Sequence, residues 1–78
     1  MKKPNAIKFL FGQRVRYFRQ SSGMSQEAFA DKCGIDRTYI SGIERGVRNP
    51  TLEIINIIAN GLQIELTDLF DFSTKSKG

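Results

Sequence analysis

The sequence predicts an all-α fold, a compact bundle of five short helices. Apolar side chains recur at the three- and four-residue spacing of helices, and no segment alternates long enough to indicate a strand. Capping and turn residues divide the 78 residues into segments of helix length. Because so short a chain supports a single domain, we expect one domain at 1–72 and a polar, disordered tail at 73–78.

The first helix is expected at 6–22. It ends at Ser21-Ser22-Gly23, where the glycine suits the left-handed turn that follows a helix C-terminus. One face of this helix is apolar, which indicates that it packs on a core. The side chains on that face are Ile7, Phe11, Val15 and Phe18.

The second and third helices are expected at 25–33 and 36–45, with Ser25 and Asp36 as their N-caps and Gly34 between them. An apolar residue before each cap is spaced to form a hydrophobic staple with a residue inside the helix. These pairs are Met24 with Phe29 and Ile35 with Ile40. The core residues expected from the two helices are Phe29, Ala30, Ile40 and Ile43.

Gly46 is expected to end the third helix, and the loop after it runs to Pro50, through which a helix cannot continue. Thr51 then caps a fourth helix at 51–61, and a last helix covers about 66–71. The apolar stripe of the fourth helix consists of Leu52, Ile55, Ala59 and Leu62, and that of the last of Leu66, Leu69 and Phe70.

Composition excludes most catalytic and metal chemistry. The chain has no histidine and a single cysteine, Cys33, which rules out zinc fingers, disulfide frameworks and Ser-His or Cys-His dyads. Carboxylate pairs occur at helical spacing, but without a partner base they indicate a solvated surface rather than an active site. We therefore expect no enzyme, no catalytic residue, no metal site and no cofactor.

The sequence offers no candidate for a membrane segment. Its longest apolar run is only a few residues, so neither a membrane span nor a signal peptide is expected. The unpaired cysteine is typical of a reducing compartment. We therefore expect a cytoplasmic protein without a membrane partner.

Positive charge is concentrated in the first part of the chain. The whole chain has a formal charge of +4 and a pI near 9.6. Residues 1–48 contain ten Lys and Arg and four acids, a charge of +6, whereas residues 49–78 carry −2. This asymmetry favours a polyanionic partner if the basic residues converge in space, and otherwise describes a solvated basic surface.

Two of the expected helices form a recognisable pair. The helices at 25–33 and 36–45 are joined by the tight connection Cys33-Gly34-Ile35. This is a helix-turn-helix arrangement, in which the second helix lies in a DNA major groove about 12 Å wide. The exposed face of that helix carries small or hydrogen-bonding residues, whereas a surface helix without a binding role more often carries Glu and Lys pairs. Those residues are Arg37, Thr38, Ser41 and Gly42.

The segment SQEAFADKCGIDRTYISGIERG, residues 25–46, resembles the DNA-binding segment of the phage repressor/Cro helix-turn-helix family. The resemblance covers about residues 8–70. The residues that match in one register are Ser25, Gln26, Ala30, Gly34, Ile40, Ser41, Ile43, Glu44, Pro50 and Thr51. Within the family, the run at 36–45 is most similar to controller proteins of restriction–modification systems, although regulators of other operons use similar runs.

The resemblance implies that four residues read bases: Arg37, Thr38, Ser41 and Gly42. Arginine can donate two hydrogen bonds to guanine O6 and N7, and threonine offers a hydroxyl and a methyl that suits the thymine methyl. Ser41 lies one turn further along the same face. Gly42 has no side chain, so the helix is expected to approach the bases closely there.

The resemblance also implies five contacts to phosphates. Gln26 opens the second helix, where the side chain and the helix N-terminus can both bind an anion. Arg45, Arg48 and Asn49 are expected to hold the DNA backbone beyond the recognition helix. For Tyr39 two roles stay open: its hydroxyl binds a phosphate, or its ring packs on the turn.

Two further residues look like site residues and are assigned structural roles. Glu44 resembles an active-site acid, but the resemblance implies that it pairs with Arg19 in the first helix. Cys33 stands where the family keeps a small buried residue, which favours a packing role over redox sensing.

A homodimer is expected, because one recognition helix reads too few base pairs for useful specificity. Two-fold pairing places two such helices about 34 Å apart, which matches a palindromic operator in double-stranded DNA. An apolar set off the core stripe is the candidate interface, unless some of its members only thicken the core. The set consists of Ile54, Ile57, Leu66, Phe70 and Phe72.

The function predicted from these features is that of a dimeric, sequence-specific transcriptional regulator, in particular the controller of a restriction–modification operon. RNA polymerase is a further candidate partner, and the expected setting is the bacterial cytoplasm and its nucleoid, in a bacterium or a phage-derived system. Alternatives are a phage or plasmid repressor, an antitoxin-type regulator, and a protein-interaction module that binds no DNA.

Overall fold

The computed structural model describes residues 6–73, and these residues form helices without any strand. The helices are α1 (Ala6–Ser21), α2 (Gln26–Cys33), α3 (Arg37–Arg45), α4 (Leu52–Leu62) and α5 (Leu66–Leu69). The prediction of an all-α, five-helix fold is confirmed for this part of the chain. Of the predicted tail at 73–78, only Ser73 is described, and its hydroxyl donates to Asp71 Oδ1 at 2.7 Å; the rest lies outside the described residues.

The core lies between α1, α3 and α4, with one side closed by α2 and one by α5. Removal of these apolar side chains from water is the main source of stability for a domain of this size. The buried apolar residues are Phe11, Val15, Phe29, Ala30, Ile40, Ile43, Ile58, Ala59, Leu62 and Leu69.

The prediction of the core was wrong for two residues, which are exposed, and it missed one residue that is buried. Leu52 is 83% exposed and Ile7 is 51% exposed. Each stands at the first or second position of its helix, at the end of the element, where the neighbouring helices do not cover it. Ile58 is fully buried instead, because it lies three residues after Ile55 and so faces the same side of α4.

Gly12 allows α1 and α3 to pack backbone against backbone. A Cβ atom at this position would lie 2.2 Å from the carbonyl oxygen of Ile43 and 2.8 Å from that of Glu44. Real Cβ atoms do not approach other atoms so closely. Backbone atoms cannot relieve the overlap by a change of rotamer, as a side chain can. The absence of a side chain at Gly12 therefore sets the distance at which α3 is held.

The short helix α5 is attached to α1 by one arginine and one aromatic pair. Arg14 Nε and Nη2 donate to the carbonyl oxygen of Asp68 at 3.1 and 2.9 Å. The rings of Phe11 and Phe70 stack with their centroids 5.2 Å apart. Since a four-residue helix is not stable alone, these contacts hold α5 in position.

The caps behave differently at α2 and α3. Ser25 Oγ accepts from Ala28 N at 3.0 Å, and Gly34 ends α2 in the left-handed conformation with φ 70°. Asp36 occupies the N-cap position of α3, but its carboxylate accepts no backbone hydrogen bond of the helix. It accepts the hydroxyl of Thr38 instead, so the expectation of a side-chain cap at Asp36 was wrong.

Candidate nucleic-acid interface

The turn between α2 and α3 holds α3 at the surface of the domain. Ile35 is half-buried and packs against the core immediately after Gly34. The buried face of α3 consists of Ile40, Ile43 and Glu44, which lie three and four residues apart. Because these residues fix the rotation of the helix, the opposite face of α3 points away from the core.

The outward side of α3 carries the polar residues that the sequence singles out as base readers. Arg37 and Thr38 are exposed, and Ser41 is half-buried. The Thr38 hydroxyl donates to Asp36, which leaves its methyl group and oxygen lone pairs available. Arg45 Nε donates to Ser41 Oγ at 3.4 Å, so Ser41 and Arg45 are neighbours on this face. Hydrogen-bonding groups of this kind can read base edges or bind phosphates.

The sequence predicts that α3 approaches the bases closely at Gly42, and the structure shows that another side chain covers this glycine in the free protein. It lies two residues after Ile40 and so about 200° around the helix, in the middle of the outward face. It is nevertheless buried, because the side chain of Arg48 lies over it. In this structure a duplex that approaches this face would meet the Arg48 side chain at this position and not the helix backbone.

Arg48 is brought onto the same face by the loop after α3. Its side chain is exposed, and its Cζ lies 5.2 Å from the centroid of the Tyr39 ring. The half-buried Tyr39 packs against the core on one side and contacts a cation on the other. Of the two roles left open for Tyr39, the structure gives the ring a packing function and does not assign the hydroxyl.

Glu44 is the centre of a buried polar network that also holds Gln26. Arg19 donates from Nε to Glu44 Oε2 at 2.6 Å and from Nη2 to Oε1 at 3.0 Å. Gln26 Nε2 donates to the same Oε1 at 3.0 Å, and Arg19 Nη1 donates to the carbonyl oxygen of Met24 at 2.8 Å. The network thus joins α1, the start of α2 and the end of α3.

The electrostatics of this network favour the charged pair. The hydrogen bond to Glu44 raises the pKa of Arg19 and outweighs the effect of burial, which lowers it, and the Coulombic attraction of the carboxylate adds to the rise. The side chains of Arg19 and Glu44 are 9% and 2% exposed. The pair of Arg19 with Glu44 is the one that the family resemblance implied, whereas the hydrogen bond from Gln26 was not predicted. That bond fixes the Gln26 amide and leaves its second N–H available for a phosphate.

Asn49 lies at the edge of a different feature. It is exposed and borders an apolar hollow between α1, α5 and the loop before α4. The apolar side chains that line this hollow are Ile7, Phe11, Pro50, Ile55 and Phe70.

The residues proposed for a dimer interface fall into two groups. Ile57, Leu66 and Phe70 are exposed by 38%, 45% and 43%, so their apolar surface is available for contact with a second copy. Ile54 and Phe72 are half-buried. Ile54 packs against the core of its own chain, so for this residue the alternative of a thicker core applies.

Cys33 is half-buried at the contact of α2 with α4. A Cβ atom at Gly61 would lie 2.7 Å from Cys33 Sγ, so the thiol fills the space next to this glycine. Burial raises the pKa of the Cys33 thiol, and the charge of Lys32 opposes the rise only in part. A thiol in this state packs and is a poor nucleophile.

Two kinds of feature are absent from residues 6–73. No three His, Cys, Asp or Glu side chains are grouped so that they could hold a metal ion. No helix in this range is long and apolar enough to cross a membrane.

Comparison with known proteins gives matches over most of the chain. Residues 15–69 match the family model described as helix-turn-helix. The control protein C.BamHI of Bacillus amyloliquefaciens is 52% identical over 71 residues, which are 90% of this chain and 88% of that protein. The control protein C.MunI of a Mycoplasma species is 43% identical over 85% of this chain and 90% of that protein.

Solved structures agree with these matches. The crystal structure of the restriction–modification controller protein C.AhdI from Aeromonas hydrophila has a TM-score of 0.79 and 46% identity, over 81% of this chain and 96% of that one. A second has a TM-score of 0.79 and 36% identity, over 90% of this chain and 92% of that one. It is the restriction–modification controller protein C.Esp1396I, as a tetramer in complex with its natural 35 base-pair operator.

Proposed function

Because the chain belongs to the helix-turn-helix family, with restriction–modification control proteins among its relatives, we propose that it is a sequence-specific, DNA-binding transcriptional regulator. The observation that carries this proposal is the outward face of α3. Arg37, Thr38 and Ser41 stand there beside Arg45 and Arg48, at the surface of a domain whose core holds the helix firmly.

Residues on and beside this face make two kinds of contact with DNA, to base edges and to phosphates. Arg37 and Thr38, in the first turn of α3, read base edges in the major groove, and Ser41 supports them one turn further on. Gln26, Arg45 and Arg48 bind the phosphate backbone. Asn49 and the Tyr39 hydroxyl are further candidates for phosphates.

The active form is a homodimer on a palindromic operator. The exposed side chains of Ile57, Leu66 and Phe70 supply the apolar centre of the interface, and Phe72, which packs edge-on against Phe70, extends it. Two copies then present their α3 helices to successive major grooves of double-stranded DNA. The operator complex of C.Esp1396I, in which that controller is a tetramer, supports assembly of this kind.

The regulated genes are those of a restriction–modification system. C.BamHI, C.MunI and C.AhdI are each named as controllers or control proteins, and they share 43–52% of their aligned residues with this chain. Such a regulator acts on chromosomal or plasmid DNA in the bacterial cytoplasm, and its effect on a promoter is exerted by contact with RNA polymerase or by blocking it.

A selection experiment with Arg37 variants tests the proposal. The full chain is used to enrich duplexes from a pool with a randomised core of about 20 base pairs, long enough for two half-sites. The enriched duplex is expected to be palindromic, and its affinity is expected to fall steeply with salt as counterions are released. Arg37→Ala is expected to retain the fold and to lose most of the preference for this duplex over a scrambled one.

Arg37→Lys is the matched control, because it keeps the charge and loses the planar two-donor geometry. It is expected to retain the salt dependence of wild type and to discriminate as poorly as Arg37→Ala. Enrichment of no sequence, together with the absence of salt-dependent binding to any duplex, overturns the proposal. Unchanged discrimination by both variants refutes the base-reading role of Arg37.

A further inference from the structure

Gly42 and Tyr39 form a seat for the side chain of Arg48, and this Arg48 seat lies in the middle of the outward face of α3. The evidence for the seat is the steric overlap with Arg48 that a side chain at position 42 would cause. A Cβ atom at Gly42 would lie 2.6 Å from Arg48 Cγ, 3.3 Å from Nε and 3.5 Å from Cδ. The aliphatic part of Arg48 therefore occupies the space that any other residue at 42 would fill.

The backbone delivers Arg48 to this place. Gly46 ends α3 with φ 80°, a left-handed conformation that turns the chain back on the helix. The carbonyl oxygen of Gly42 then accepts from Val47 N at 3.0 Å and from Arg48 N at 3.3 Å. These bonds tie the first residues of the loop to α3, so the side chain of Arg48 starts within reach of Gly42.

The Tyr39 ring completes the seat at its far end. Tyr39 precedes Gly42 by three residues and lies on the adjoining part of the α3 surface. The Arg48 Cζ is 5.2 Å from the centroid of this ring, a distance at which a guanidinium is attracted by the ring face. The cation is thus held at a defined position beside the Tyr39 ring.

We propose that Gly42 is a positioning residue for DNA recognition: the absence of its side chain lets Arg48 lie across α3 and places a loop cation in the centre of the DNA-facing surface. Gly42 itself touches no DNA in this arrangement. The inference rests on the proposed function for its consequence, since the position of Arg48 matters only if this face binds DNA. The seat itself is a property of the free protein.

The local cost of a glycine supports the inference. Glycine in the interior of a helix is less favourable than alanine, so Gly42→Ala is expected to strengthen α3 on its own. The closest atom is Arg48 Cγ, which belongs to an exposed side chain, and rotation of Arg48 about its Cα–Cβ bond moves this atom away from position 42. The substitution is therefore expected to displace Arg48 without unfolding the domain.

The first measurement concerns the free protein. Protons above an aromatic ring resonate upfield, so the side-chain protons of Arg48 are expected to be shifted by Tyr39. Gly42→Ala and Tyr39→Leu are expected to abolish the shift, and Tyr39→Phe, which keeps the ring, is expected to retain it. The melting temperature of Gly42→Ala is expected to equal or exceed that of wild type. An unchanged Arg48 shift in Gly42→Ala overturns the inference, as does a lowered melting temperature.

The second measurement is a double-mutant cycle on the duplex enriched with the wild-type chain. Gly42→Ala and Arg48→Ala are each expected to weaken binding about tenfold, the scale of one hydrogen bond between charged groups. The double variant is expected to bind as Arg48→Ala does, because Gly42 acts through Arg48 alone. Additive losses refute the inference. A wild-type chain that binds no duplex refutes the proposed function instead, while the proton shifts still decide whether the seat exists.

Discussion

Arg19 Nε on α1 donates to Glu44 Oε2 on α3 at 2.6 Å, in an interior where neither side chain has appreciable contact with solvent. The same carboxylate accepts from Gln26. A single buried acid therefore joins α1, the start of α2 and the end of α3. Charges held in this way fix the orientation of α3 more strictly than apolar packing does, since a hydrogen bond is directional.

Loss of one partner of this ion pair is expected to destabilise the domain strongly. Arg19→Met leaves the carboxylate of Glu44 buried without its counter-charge, which costs about 3–5 kcal/mol. That is a large part of the total stability expected for a domain of this size. Urea unfolding followed by circular dichroism measures the loss.

The double variant Arg19→Met/Glu44→Leu is the control for this prediction, because it removes both charges and leaves no uncompensated ion. It is expected to be more stable than Arg19→Met alone. A single variant as stable as wild type would show that the pair has no structural role.

Gly12→Ala is expected to lower the free energy of unfolding by about 2 kcal/mol or more. The added methyl group meets the carbonyl oxygens of Ile43 and Glu44, and relief of the overlap requires α1 and α3 to separate. Thermal unfolding is the appropriate measurement. Gly42→Ala is the matched control, a helical glycine whose neighbour is a movable side chain. Equal melting temperatures for the two variants would contradict the close approach at Gly12.

Ile57→Glu is expected to shift the chain from dimer to monomer in sedimentation and to weaken binding to the enriched duplex. A carboxylate at the centre of an apolar interface would lose its hydration without gaining a partner. Tyr17→Glu provides the comparison, since Tyr17 is 57% exposed on α1 and lies outside the proposed interface. A persistent Ile57→Glu dimer would place the interface elsewhere.

Stability is expected to fall at alkaline pH through Cys33. Burial raises the pKa of this thiol above its ordinary value of 9.0, so above pH 9 the unfolded chain loses its proton before the folded chain does. The contribution is complete below pH 9 and is lost as the pH rises through the folded pKa. Urea unfolding between about pH 8 and pH 10 measures the slope. Cys33→Ala is expected to flatten it, and identical slopes for the two proteins would exclude the thiol as the cause.

The second to fourth helices show how much of the fold was readable in the sequence. Ser25, Thr51 and Gly34 act within a few residues of themselves, through one side-chain hydrogen bond or one backbone conformation. Such local chemistry is independent of what the helix later packs against, so it can be read from the order of residues. There were two exceptions: Asp36 does not cap α3 with its side chain, and α4 ends at Gln63, which takes the left-handed conformation with φ 59° where no glycine marks it.

In the candidate site, too, some features follow from the local sequence and others depend on contacts between distant residues. The amino-acid sequence determined that α3 has an outward face with Arg37, Thr38 and Ser41, because the helical period alone assigns residues to faces. Packing of the folded chain places Arg48 over Gly42, binds Gln26 to Glu44, and leaves Leu52 exposed while Ile58 is buried. These outcomes depend on where loops return and where helices end against their neighbours, which are contacts between distant residues and leave no periodic trace in the chain.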